Sequence, residues 1–85
     1  MANRLQHIKL IEDFGTDPIP AGNRVYVVQH VTEKTYVSFD GLRYFTTFQL
    51  DFAITFPTDQ YALETSYGWP GNPAMFRIKE AVIWS

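Results

Sequence analysis

Arg24-Val25-Tyr26-Val27-Val28-Gln29-His30-Val31 is the stretch on which the fold turns. Its β-branched and aromatic residues suit a pleated, half-buried surface. Because successive side chains alternate, Val25, Val27 and Val31 fall on one face, and Tyr26, Val28 and His30 on the other. Thr32-Glu33-Lys34 then turns the chain into Thr35-Tyr36-Val37-Ser38-Phe39, where Val37 and Phe39 continue an inward face. Asp40-Gly41 predicts a tight hairpin with positive φ at both central positions. Leu42 to Phe48 returns as the next strand.

Downstream, residues 47–53 read as an irregular turn leading to a short strand at Ile54-Thr55-Phe56, which Pro57 ends. Thr58 is a good N-cap, and Asp59 places a negative charge at the positive end of a helix. Tyr61 to Tyr67 supplies about two and a half turns of that helix, and Gly68 stops it. Trp69-Pro70-Gly71-Asn72-Pro73 is a proline-framed loop before a closing strand from Met75 to Trp84. On that strand Phe76, Ile78, Val82 and Trp84 share a face broken only by Glu80. Upstream, Gly15 to Asn23 holds two Pro and two Gly and is a loop. Leu5 to Phe14 reads as a strand, with a short amphipathic helix as the alternative. The order predicts an α+β fold: a mostly antiparallel sheet of four to five strands with one short helix packed on one face. Residues 1–85 read as one domain, since neither half could bury a workable core.

The chain has no Cys, which excludes disulfides, thiolate zinc sites and Cys nucleophiles, and suits a reducing cytoplasm. No apolar run reaches membrane-spanning length, and Met1-Ala2-Asn3-Arg4 leads into no signal-peptide core, so a cytoplasmic location is expected. Net charge is −2 with seven scattered basic residues, which argues against nucleic acid as a partner. A nucleic-acid-binding module would need Arg24, Lys34, Arg43 and Arg77 to assemble one patch.

Catalytic constellations are lacking. His7 and His30, even with Glu12 or Asp13, have no ligand-like spacing, so neither metal nor cofactor is expected. Ser38, His30 and Asp40 include the residue types of a hydrolytic triad, but Ser38 is mid-strand with no elbow glycines. Glu12 and Asp13 are adjacent and so point to opposite faces of a strand. Asp51 and Asp59 sit where capping explains them. Gly68-Trp69-Pro70-Gly71 lacks the Lys and helix of a phosphate cradle. The chain therefore does not read as an enzyme.

The aromatic residues carry more. Tyr36, Phe39, Tyr44, Phe45, Phe48 and Phe52 crowd into seventeen positions. Alternation forbids all of them from pointing inward, and Tyr36, Tyr44 and Phe48 are expected to look outward as a protein-contact surface. Trp69 either folds onto the helix end or stands out as a preorganised anchor, and the anchor is the preferred expectation. The expected partner-binding residues are Tyr36, Tyr44, Trp69, Pro70 and Asn72. Self-association, most simply as a two-fold dimer, is expected through unprotected edges at Arg24–Val31 and Phe76–Trp84.

From Arg24 onward, the Tyr-Val-Val strand is followed by Tyr-Val-Ser-Phe-Asp-Gly, then Leu-Asp-Phe-Ala-Ile-Thr-Phe-Pro-Thr, a short helix and Phe-Arg-Ile-Lys-Glu-Ala-Val. This succession resembles the small ββαβ accessory proteins of bacteriophages. The resemblance implies stoichiometric binding and inhibition of a host protein, including host defence machinery, in the host cytoplasm. A small-ligand binder and a minor virion component are the rival expectations.

Overall fold

The computed structural model describes residues 6–85. The expected strand start at Leu5 and the Met1-Ala2-Asn3-Arg4 stretch lie outside the described residues. Five strands form one antiparallel sheet: β1 (His7–Leu10), β2 (Asn23–His30), β3 (Tyr36–Phe39), β4 (Tyr44–Thr47) and β5 (Phe76–Trp84), in the order β1-β5-β2-β3-β4. One helix, α1 (Asp59–Glu64), packs on β2 and β5. The α+β class and the antiparallel sheet are thus as the sequence predicts. Among the described residues no helix is long and apolar enough to cross a membrane.

The strand order corrects one expectation. β2 pairs with β5 from Asn23↔Ile83 to His30↔Phe76, so neither is an outer strand. The outer strands are β1 and β4. β1 is also shorter than its sequence suggests: the chain leaves the ladder at Ile11 and makes a 3-10 turn through Phe14, whose ring is buried. Gly15 ends this turn at φ 59, a conformation that glycine adopts without penalty.

Between β2 and β3 the sheet splits. They pair only at Gln29↔Tyr36, and residues 54–56 fill the gap beyond it. Phe56 exchanges both backbone hydrogen bonds with Tyr26 (2.9 and 2.8 Å), and Ile54 N–H donates to Val37 O (3.0 Å). The expected short strand is therefore a wedge with a single bridge. Thr58 caps α1 as expected, its hydroxyl accepting from Tyr61 N–H at 3.0 Å.

The hairpin turn lies one residue later than the sequence suggests. Phe39 pairs with Tyr44, and Asp40 N–H donates to Arg43 O, so Gly41 and Leu42 occupy the central positions. Only Gly41 has positive φ, at 98°. Glycine at the first central position with φ > 0 there alone is the requirement of a II′-type turn.

Both sheet faces are covered. On the helix face Val28, Val37, Phe56, Ala62, Trp69 and Phe76 form one core cluster. On the opposite face Leu10, Val27, Ala53 and Ala81 form a second, beneath the 3-10 turn Leu50–Phe52. Alternation along β2 feeds its valines to the two clusters in turn, which explains why both Val27 and Val28 are fully buried.

Candidate functional site

The expected outward row of tyrosines does not form. Tyr36 pairs with Gln29 and packs on the second cluster, whereas Tyr44 packs on the first, so the two lie on opposite faces. Tyr36 is half-buried, with its hydroxyl 3.4 Å from Gln29 Nε2. Burial raises its pKa, and the negative charge of Asp13 adds to the rise. Tyr44 is also half-buried. Its ring lies 4.7 Å from that of Phe39, and it faces Gly68 so closely that a Cβ there would come within 2.9 Å of it.

Trp69 is the larger correction. It is only 7% exposed, it lies in the helix-face core, and its ring centroid is 5.5 Å from that of Phe76. Its indole N–H donates to Thr65 Oγ1 at 3.0 Å. Both the apolar body and the polar tip are satisfied internally, so no part is left to anchor a partner. Pro70 and Asn72 are exposed, but the Asn72 side chain is committed to accepting Ala74 N–H (3.0 Å), which caps the 3-10 turn Pro73–Met75.

Much of the exposed apolar surface gathers instead around the β3–β4 hairpin, while Tyr61 and Leu63 are exposed on α1 and Ile19 in the loop before β2. Leu42 is 91% exposed, Phe48 80% and Tyr67 92%, with Phe39, Phe45 and Phe52 also exposed. Phe39 lies on the helix face; Phe45, paired with Ser38, lies on the other. Tyr67 adjoins Gly68, which rests on Tyr44. Phe52 is tied to the opposite face where its carbonyl accepts the Ser38 hydroxyl (2.5 Å). The sequence signal for Phe45 was its alternation with Tyr44; for Leu42 it was a turn position, and for Tyr67 the helix end beside Gly68.

β4 also presents an unpaired edge. The Asp40–Arg43 bond makes Ser38↔Phe45 and Tyr36↔Thr47 the hydrogen-bonded pairs, by the alternation of an antiparallel ladder. The Val37 carbonyl, turned toward Ile54, agrees with that phase. Tyr44 and Thr46 therefore direct both N–H and C=O away from the sheet, and among the described residues no backbone group meets them.

Asp40 secures the turn beside this edge, its Oδ1 accepting Leu42 N–H (2.9 Å) and Arg43 N–H (3.0 Å). The bonds from Arg43 and Leu42 hold its carboxyl below its ordinary pKa. A depressed folded-state pKa stabilises the fold above the unfolded value, and this is lost as pH falls through the folded one. Asp40→Ala should therefore be less stable than the parent at neutral pH and equal to it in strong acid. Urea unfolding midpoints across that range check this, and a gap that persists in acid would refute it.

The other constellations stay apart. Ser38 and His30 lie on opposite sheet faces, and the Ser38 hydroxyl donates its hydrogen bond to Phe52 O. His7 and His30 pair with opposite ends of β5, about 26 Å apart at the rise of a strand. Arg24 contacts Glu80 (3.6 Å), and Arg77 donates to its own backbone at Ala74 and Phe76, on the opposite face from Arg24. A cavity of about 350 Å³ lies between α1 and the sheet, lined by Tyr26, Asp59, Gln60, Leu63, Ile78 and Glu80. Its size is at the low end for ligand sites, and of the aromatic residues only Tyr26 lines it.

Comparison of the chain with known protein families, with curated proteins and with solved structures found no match in any of the three.

Proposed function

We propose that this chain is a non-catalytic binding protein that acts by covering a surface of another protein, in the manner of a small phage-type inhibitor of a host protein. The observation that supports this reading is the collar of exposed apolar side chains around β4: Phe39, Leu42, Phe45, Phe48, Phe52 and Tyr67. Exposed apolar side chains gathered around one strand are the kind of surface that serves a contact. The contact surface belongs to Phe48 and Tyr67 rather than to Trp69. Aromatic rings of this kind supply large contact area at low ordering cost.

The test is the double variant Phe48→Ser with Tyr67→Ser. Both side chains are exposed, so its unfolding free energy should stay within about 0.5 kcal/mol of the parent. The parent, immobilised, should retain a defined protein from host lysate, and the purified partner should bind the variant more weakly by about 2 kcal/mol or more. Equal affinity of the two chains for that partner would remove the collar from the contact, and turnover of a substrate by the parent would overturn the non-catalytic reading.

A further inference from the structure

We infer that the β4 edge pairs with β4 of a second copy across a two-fold axis, joining the two sheets into one. The inference goes beyond the proposed function, which concerns the faces of the hairpin rather than its edge.

The edge lacks the devices that usually blunt one. Tyr44-Phe45-Thr46-Thr47 contains no charge and no proline, and the outward groups of Tyr44 and Thr46 are open. The opposite outer strand differs: β1 carries Lys9 and leaves the ladder after four residues into a 3-10 turn.

The register follows from which groups point outward. Tyr44 and Thr46 must occupy hydrogen-bonded positions of the new ladder, so Tyr44 of each copy meets Thr46 of the other. That places the axis at Phe45, opposite itself in a non-hydrogen-bonded pair, where side chains approach most closely. An aromatic–aromatic pair is among the favourable cross-strand contacts, and it would cover Phe45 on the face away from the helix.

The same register favours a second copy over an unrelated strand. The outward groups of Tyr44 and Thr46 are met reciprocally by those of the other copy, and the exposed Phe45 ring is covered by its own counterpart, as an isologous contact requires.

Sedimentation of the whole chain from about 1 to several hundred micromolar, the range in which weak dimers populate, should show mass rising from one copy to two. Thr46→Pro removes an N–H that points outward, so it leaves the internal ladder intact while blocking the edge; it should raise the dimer dissociation constant by about tenfold or more. Phe45→Lys sets like charges directly opposite and should act in the same direction. A parent that stays monomeric throughout, or a Thr46→Pro chain that melts like the parent yet dimerises equally well, would each overturn the inference. Partner capture through Phe48 and Tyr67 is measured separately: a monomer that still captures its partner defeats only the dimer, and a dimer that captures none defeats only the proposed function.

Discussion

Trp69→Ala is expected to lower the unfolding free energy by about 3–5 kcal/mol, the range for truncating a core aromatic ring. The ring is packed with Val28, Val37, Phe56, Ala62 and Phe76, and alanine would leave a cavity that the sheet and α1 cannot close without moving. In a domain of this length such a loss lowers the melting temperature by at least about 12 °C. Trp69→Phe keeps most of the packing and loses the indole bond to Thr65, so it should cost about 1 kcal/mol. Urea unfolding of both variants separates ring from hydrogen bond. A Trp69→Ala chain as stable as the parent would show that the ring is dispensable to the core.

Gly22→Val is expected to destabilise the fold toward the upper part of the roughly 1–3 kcal/mol range for overpacking. A Cβ at residue 22 would collide with the backbone carbonyl of Ile83 and also press on Trp84 Cβ at 3.1 Å. The obstacle is main chain within the β2–β5 ladder, which cannot rotate aside as a side chain would. The expected outcome is fraying at the Asn23↔Ile83 end of the ladder. Hydrogen exchange at the amides of Asn23 and Ile83 should rise, while that of Val27 and Lys79, in the middle of the same ladder, changes less. Unchanged exchange together with unchanged stability would mean that the chain before β2 yields without cost.

Gly22 and Trp69 illustrate two kinds of information that the chain carries. Gly22 reads only as part of a turn-rich loop, because the carbonyl that excludes a side chain there is contributed by a residue sixty-one positions later. Trp69 offers both its readings from local sequence, since Gly68 and Pro70 are compatible with a ring tucked in or standing out. Its burial depends on Phe76 and on the wedge that brings Phe56 beside Tyr26, both non-local.

The candidate site divides in the same way. That Phe48 lies outward was legible from alternation along Leu42 to Phe48, although the strand itself ends at Thr47. That Phe45 and Tyr67 join it was not, since a strand's alternation yields two faces without naming the one that will be covered. Here both faces are covered near β2, and both are open beside β4, where α1 and the Leu50–Phe52 turn no longer reach.

Local physics in the sequence determined the elements: the alternation of Arg24 to Val31, the glycine of the hairpin turn, the Thr58 cap and the apolar face of Phe76 to Trp84. These rest on interactions within a few residues, which the chain cannot avoid expressing. Only the tertiary structure decided that β2 and β5 lie inside the sheet, that Tyr36 and Tyr44 part to opposite faces, that Trp69 is core, and that β4 is the open edge. Each of those outcomes is a choice of neighbour. Neighbours in an antiparallel sheet are selected by burying the most apolar surface across distant segments, a quantity that exists only once the segments have met.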